Sequence, residues 1–325
     1  MSLVTTANLF ADSTVIREPV TGGSGYWSGA PGVFYDTAEK AWFLTYRIRR
    51  PRGVAPDRGG ETKIARSNDL QNWEDVWTVT KDQFESASIE RCALRKGADG
   101  KWRYFVSYVD PTDNRWCVSR ITARDIQSLQ PKTRQPVFTA RPLGLEGVKD
   151  PWIYEDTGRF YMLLSVAVPT QKTSADSHST ADIFNTGDCA SATALAVSDD
   201  LDNWEWKGVI FKPESGKWDQ YCRRLNSVAR IGKRFVGFYD GSAGHHENYE
   251  EKCGLAVSGD WLGWKSMTPN APAFTSPHAS KSLRYVDAQI SGNEACLFYE
   301  FARPDGSHDL RLARGSAESL SHLLR

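Results

Sequence analysis

The sequence predicts an all-β chain built as a five-bladed β-propeller of four-stranded antiparallel blades. Three observations carry that prediction. The 325 residues include 12 Trp, 12 Tyr and 14 Phe beside 26 Gly and 15 Pro. With no long stretch of 3.6-residue apolar period, this composition reads as aromatic strands joined by tight turns. A turn element recurs, as IARSNDLQNW at 64–73, LAVSDDLDNW at 195–204 and LAVSGDWLGW at 255–264. A strand, hairpin and aromatic strand recur five times, starting at 30, 90, 150, 224 and 287, the spacing of a repeat architecture.

The blades follow in chain order. The first, about 28–80, opens with APGVFYDTAEKAWFLTYR (30–47) and closes after the first Ser-x-Asp turn. The second, about 88–140, opens with ERCALRKGADGKWRYFVSY (90–108) and carries a degenerate turn, CVSRITARDIQSL (117–129). The third, about 148–212, opens with DPWIYEDTGRFYMLLSV (150–166). The fourth, about 222–272, opens with RLNSVARIGKRFVGFYD (224–240). The fifth, about 285–325, holds DAQISGNEACLFYEF (287–301) and LRLARGSAESL (310–320), then ends without room for a fourth strand. VIREPVTGGSGYW (15–27) resembles VIFKPESGKW (209–218), so residues 13–20 are expected to close the ring, giving one domain over 1–325. Four hairpin tips carry Gly where a tight turn needs positive φ. In the Ser-x-Asp turns, Ser and Asp cap the turn and Trp packs between blades; no chemistry is assigned to them.

Charge and composition exclude several classes. Forty Lys and Arg balance forty Asp and Glu, so no basic excess exists for nucleic acid or for an anionic membrane surface. No apolar run approaches the length of a membrane span. The six cysteines form no Cys-x-x-Cys pair, which argues against structural zinc and thioredoxin-type chemistry; free, buried thiols are expected. Met1–Asp12 has no signal-peptide pattern, and a cytoplasmic protein is expected. Gly22-Gly23-Ser24-Gly25 lacks the Lys-Ser/Thr of a phosphate loop, and there is no Gly-x-Ser-x-Gly elbow. No cofactor and no metal is expected; calcium at Asp176, Asp182 or Asp188 has no support in the spacing.

The candidate site follows from propeller geometry. Inner strands line the axis, so their first residues ring the channel mouth, where closed β architectures bind ligands. These residues are Ala30-Pro31, Glu90-Arg91, Asp150-Pro151, Arg223-Arg224 and Asp287. Such charges in a narrow channel are costly as packing alone. They form either a self-neutralising ion network or a functional pocket, and the pocket is expected. Loops on the same face add Arg47, Arg49, Arg50 and Arg52, then Asp110 and Asp113, then His245, His246 and Glu247, then Glu300, Arg303, Asp305 and His308. The third blade contributes VPTQKTSADSHSTADIFNTGDCASA, long enough to be a lid or binding loop. Tyr26, Trp27 and Trp152 offer either sugar platforms or core.

GVKDPWIYEDTGRFYML (147–163) resembles the Asp-Pro-x-φ-x-x-Asp-x-Gly-x-x-Tyr-φ pattern of glycoside hydrolase family 43, and its start is similar to the Gly-Val-Glu-Asp-Pro of family 130. The whole chain resembles the five-bladed propeller glycosidases, the superfamily of families 43, 32, 62, 68 and 130. The resemblance implies a glycoside hydrolase acting on a small oligosaccharide or glycoside, with carbohydrate as its partner and carboxylates at inner-strand starts as its catalysts. Asp150 matches such a position, and Glu90 is its equivalent one blade earlier. Cleavage needs one protonated carboxyl and one carboxylate. Glu90 is assigned the acid role and Asp150 the base or charge-stabilising role, or the reverse. The chain departs from the pattern at Ala30-Pro31, where an Asp-Pro pair is usual, and at Arg223-Arg224. Three readings follow. A hydrolase would draw its third carboxylate from Asp287 or Glu300. A phosphate-dependent phosphorylase would use Arg91, Arg223, Arg224 and His245 on the phosphate. A non-catalytic sugar-binding propeller would keep only the scaffold. The substrate-binding set expected is Trp27, Tyr26, Arg91, Arg223, Arg224, Trp152, His245 and Glu300.

Overall fold

Aromatic and β-branched alternation becomes twenty strands in the computed structural model, which describes residues 9–10 and 13–321. The expectations for Met1–Asp12 and for the last four residues of the fifth repeat fall largely outside the described residues. Strand β1 is Ser13–Arg17. The first unit holds β2 (Trp27–Asp36), β3 (Ala41–Arg50), β4 (Arg58–Ser67) and β5 (Glu74–Thr80). The second holds β6 (Ile89–Lys96), β7 (Trp102–Val109), β8 (Trp116–Ala123) and β9 (Gln135–Phe138). The third holds β10 (Gly147–Asp156), β11 (Arg159–Pro169), β12 (Cys189–Ser198) and β13 (Glu205–Phe211). The fourth holds β14 (Cys222–Ile231), β15 (Arg234–Ser242), β16 (Lys252–Ser258) and β17 (Lys265–Ser266). The fifth holds β18 (Leu283–Ser291), β19 (Glu294–Ala302) and β20 (His308–Ser316). Strand β1 pairs antiparallel with β20, placing Ser13 opposite Ala313, and so supplies the fifth unit's fourth strand. The one α-helix among the described residues is the short Ala317–Ser321.

The first strands meet around an axis: β2 touches β6, β6 touches β10, β10 touches β14, β14 touches β18, and β18 returns to β2. This is a β-propeller, and its core lies in the seams between sheets. Phe43 and Ile64 pack on Leu94 and Tyr104 at the first seam. Phe105 and Val118 pack on Ile153 and Leu164 at the second. Leu163 meets Leu225 at the third, Phe238 meets Leu297 at the fourth, and Phe298 meets Leu44 at the closing seam. A closed ring leaves few unpaired edges.

The Ser-x-Asp turns have one geometry. Ser67 Oγ accepts from the Leu70 N–H at 3.0 Å, and Asp69 Oδ1 accepts from Gln71 and Asn72 at 2.8 Å each. The same bonds recur at Ser198 and Asp200. Trp73 of the first unit packs on Phe298 of the fifth, and Trp204 of the third on Phe105 of the second. All six cysteines are free and buried. No helix among the described residues is long and apolar enough to cross a membrane.

Hydroxyl latches tie neighbouring units. Thr45 Oγ1 donates to Cys92 O at 2.7 Å, the Asp150 N–H donates to Ser107 Oγ at 2.7 Å, and Ser227 Oγ donates to Val286 O at 2.7 Å. At the closing seam the latch is a carboxylate: the Ala30 N–H donates to Glu300 Oε2 at 3.2 Å. Gly29 permits this approach, because a Cβ there would overlap the Glu300 side chain.

Candidate active site

Each inner strand breaks its pairing at one level. The register skips Ala30-Pro31 on β2, Glu90-Arg91 on β6, Asp150-Pro151 on β10, Asn226 on β14, and Tyr285-Val286 on β18. These β-bulges re-aim side chains. Ala30, Asp150 and Tyr285 hold φ of 53°, 57° and 54°. Left-handed backbone at a non-glycine residue is strained and concentrates at functional sites.

This register revises two expected positions. The fourth unit presents Asn226 at the bulge, not Arg223-Arg224, and the fifth presents Tyr285, not Asp287. Asp287 lies two residues further along β18, below the mouth. The ring of bulge residues is therefore Ala30, Glu90, Asp150, Asn226 and Tyr285, with two carboxylates.

Asp150 is the unusual member. Its residue is 3% exposed, yet neither carboxylate oxygen has a hydrogen-bond partner among the described residues. Its nearest charge is Lys149 Nζ at 3.5 Å. That ammonium lies over the rings of Trp116 and Phe184, at 5.1 and 4.8 Å. A buried carboxylate left without donors is costly, so its setting suits a bound ligand. Glu90 differs: its Oε1 is paired with Arg47 Nε. Tyr285 feels the charge of both. Burial, then the charges of Asp150 and Glu90, push its phenol well above the ordinary value.

Around this ring lies a layer of buried charge. Glu300 Oε1 accepts from Arg284 Nε at 2.9 Å and Nη2 at 2.7 Å and meets His308 Nδ1 at 2.8 Å, while its Oε2 accepts from Arg47 at 2.9 Å. Burial pushes this carboxyl up, but Arg284, Arg47 and His308 hold it well below the ordinary range. Expected as a substrate ligand, Glu300 is instead occupied as a seam latch. Glu251 is paired with Arg224 and with Arg284, the latter at 2.8 Å. Burial opposes its charge, yet the two guanidiniums bring it down to about 2. Asp240 Oδ1 accepts from Asn226 Nδ2 at 2.6 Å and from the Tyr285 N–H at 3.0 Å, while Oδ2 has no partner. Burial first, then the charge of Glu251, push Asp240 up to about 7 against the pull of Arg224 and Arg284.

The sign of the Asp240 effect is testable. The native state keeps a proton that the unfolded chain loses above its ordinary value of 3.8. The contribution of Asp240 to stability therefore falls as pH rises from about 4 to about 7. Asp240→Asn is expected to gain stability relative to the parent across that window and to match it most closely at the acid end. Chemical denaturation at a series of pH values reads this; a difference independent of pH would contradict it.

Below the ring, the channel is closed by a plug. Arg91 Nε donates to Pro31 O and Nη1 to Asn226 O, each at 2.6 Å, and Nη2 donates to Asp287 Oδ2 at 3.2 Å. Asp287 also accepts from the Val33 N–H at 2.8 Å, Trp152 Nε1 at 3.1 Å and Gln289 Nε2 at 2.6 Å. All five units meet in this cluster. Asp287, Arg91 and Trp152 thus spend their polar groups on one another and the backbone, not at the mouth. Trp152 instead lines a cavity of about 380 Å³ on the opposite side of the plug, with Tyr154, Arg95 and Gln289.

Arg223 points away from the axis, because neighbouring residues on a strand face opposite sides. It pairs with Asp219 at 2.7 Å and Glu214 at 2.7 Å. Arg224 points inward, and among the described residues its Nε is buried without a partner. Trp27 is buried and stacked on His308 at 4.5 Å, and Arg49 and Arg284 lie over its ring at 4.8 and 5.0 Å. Protein groups therefore occupy this indole. Tyr26 is half-buried beside it, and its carbonyl accepts from the His308 N–H at 3.1 Å. His245 is exposed on the rim, edge-on to Tyr221.

The third unit's long loop is pinned over this face. Ile183 and Phe184 are buried against Trp116 and Val109. Ala181 O accepts from Arg58 at 2.9 Å, Phe184 O accepts from Tyr221 Oη at 2.7 Å, and Asp182 accepts from Trp116 Nε1 at 3.3 Å. Tyr249 Oη also bonds Asp182. Asp188 accepts from Ser177 Oγ at 2.7 Å. Among the described residues, no three His, Cys, Asp or Glu side chains group as metal ligands.

Lys149, Asn226, Asp240, Glu251, Arg284 and Tyr285 join the site without having been singled out in the sequence. Lys149 had a signal, since it adjoins Asp150. Asp240 and Glu251 had none, because Asp240 lies on a second strand and Glu251 in the loop just before a third.

No protein-family model and no curated protein sequence matches the chain. Solved structures do match, over nearly the whole length. One glycoside hydrolase has a TM-score of 0.64 at 12% identity, covering 97% of this chain and 95% of its own. A thermostable family-43 glycoside hydrolase has a TM-score of 0.63 at 14% identity, covering 93% and 92%. The β-1,2-mannobiose phosphorylase of Listeria innocua has a TM-score of 0.62 at 12% identity, covering 94% of each chain. The likeness is one of fold, and the fold is that of the propeller glycoside hydrolases.

Proposed function

We propose that the five units are the blades of a glycoside-cleaving enzyme whose reacting carboxyl group is Asp150. The observation that supports this most is its carboxylate, buried at the bulge level of the channel mouth with both oxygens free of hydrogen bonds among the described residues. Cleavage needs a second group that handles a proton. Glu90 stands at the equivalent bulge but is tied to Arg47. Asp240 suits the acid role better, being protonated up to about pH 7 with one oxygen free. In this reading Asp240 protonates the leaving oxygen, Asp150 faces the reacting carbon or activates the attacking group, and Tyr285 and Arg224 line the space between. Glu90 then positions Arg47.

Water is the attacking group in the first reading, which makes the enzyme a hydrolase. One observation favours phosphate as a second: Arg224 Nε and Arg47 Nη1 are buried without hydrogen-bond partners among the described residues, and guanidinium groups suit a phosphate. Turnover of nitrophenyl glycosides and short oligosaccharides, with and without phosphate, separates the two. Turnover without phosphate supports hydrolysis, and turnover only with phosphate supports phosphorolysis. Saccharide binding with no turnover under either condition would reduce the protein to a carbohydrate-binding propeller.

A further inference from the structure

One buried cation at this mouth has nothing to balance it. Arg49, on β3, is opposite Trp27 on β2 and is 7% exposed. Among the described residues it makes no ion pair and no side-chain hydrogen bond, and its Nε is buried without a partner. Its guanidinium is held between two aromatic rings, 4.8 Å from Trp27 and 4.1 Å from Tyr249. Both rings are fixed. Trp27 stacks on His308, and Tyr249 is bonded to Asp182 and Asn185 of the long loop. Arg58 stands nearby, with Nε also unpartnered and its nearest carboxylate, Asp182, at 3.5 Å. Burial, only partly offset by the charge of Asp182, holds Arg58 below its ordinary value, and the charges of Arg52 and Arg49 add to the effect.

A planar cation kept rigid, dry and unpaired is arranged to receive a carboxylate. Arg presents donors in a fork that matches both carboxylate oxygens, and its ordering cost has already been met by the stacking. The charge count selects the ligand. Arg52 is exposed and screened by solvent, and among the buried groups Arg49 and Arg58 against Asp182 leave about one uncompensated positive charge. A monoanionic carboxylate neutralises it, whereas a phosphate dianion would leave an excess of negative charge. The same Trp27 ring also lies under Arg284, one of the buried charges around the mouth, so Arg49 stands on the same face as that charge.

We infer that the saccharide taken at this mouth is acidic, carrying a uronate carboxylate that binds Arg49, with Arg58 in support. The saccharide part of this inference rests on the glycoside-cleaving reading. The test is therefore made on binding, with turnover measured separately. Calorimetric titration of the Asp150→Asn protein compares glucuronate and galacturonate with their methyl esters, with glucose and galactose, and with inorganic phosphate. The acids are expected to bind about 10- to 100-fold more tightly than the esters, the span of one charge-assisted hydrogen-bonded contact. Adding Arg49→Met should abolish the acid–ester difference, and Arg49→Lys should keep part of it; thermal midpoints report whether each variant folds. Equal binding of acid and ester overturns the inference, as does binding of phosphate with no competition from uronates. Turnover of neutral glycosides by the parent, unaffected by Arg49→Met, overturns it and leaves the glycoside-cleaving reading standing. Uronate binding that depends on Arg49, with no turnover of any glycoside, upholds it and removes the catalytic reading instead.

Discussion

Asp150→Asn is expected to lower glycoside turnover by about 10²- to 10⁴-fold, the range for loss of a positioned proton-handling group, while leaving the fold as stable as the parent. The two halves of this expectation have one cause. Among the described residues the buried Asp150 carboxylate has no hydrogen-bond donors, and Lys149 at 3.5 Å is the one charge paired with it. The substitution removes a buried charge that is poorly compensated and breaks no hydrogen bond to the side chain. The Asp150 N–H keeps its bond to Ser107 Oγ, since that latch is main-chain. Steady-state kinetics and thermal unfolding on the same preparation decide the matter. A large loss of stability with proportionate loss of activity would make Asp150 a structural partner of Lys149 and end its catalytic assignment.

The opposite pattern is expected one layer down. Arg91→Met should destabilise the protein by about 3–5 kcal/mol, the cost of removing one partner from a buried ion pair. The loss has three parts. Asp287 is left buried without its cation, and the carbonyls of Pro31 and Asn226 each lose a donor. Those groups come from the first, fourth and fifth units, and Trp152 of the third donates to the same carboxylate. The plug therefore acts on the ring as a whole. Denaturant midpoints measure the effect. An Arg91→Met protein that unfolds at the parent's midpoint but loses affinity for phosphate would return Arg91 to the ligand role that its place at an inner strand first suggested.

These two neighbouring pairs show how far the residue pattern reaches. Asp150 and Glu90 lie at bulges flanked by patterns that the sequence displays, an Asp-Pro pair in one case and an apolar strand start in the other. Asp287 and Arg223 also read as charges at the start of an inner strand. What separates them is a skipped residue or two in the pairing. Nothing in RLNSV marks Asn226 as the bulge, and nothing in RYVDA marks Tyr285 rather than Asp287. Tyr and Ala give no sign that they will adopt φ near 55°, as Gly would. Arg49 shows a related limit. Four arginines in RIRRPR look alike in the sequence. In the structure Arg47 bridges Glu90 and Glu300, Arg50 pairs with Glu61 at 2.6 Å, and Arg49 alone of these three finds aromatic rings in place of a carboxylate.

The sequence by itself determined the repeat, the strand class, the hairpins and turns, and the closing N-terminal strand. Each depends on local chemistry: period-two alternation, Gly at tight turns, and Ser and Asp that cap backbone within four residues. Only the tertiary structure decided which buried charges are spent and which are free. That depends on partners far apart in the chain, such as Arg91 with Asp287 and Arg47 with Glu300. Burial makes an unpaired charge costly wherever it falls, so the pairing of Arg47, Arg91, Arg284, Glu251, Glu300 and Asp287 with one another is what leaves Asp150 and Arg49 conspicuous.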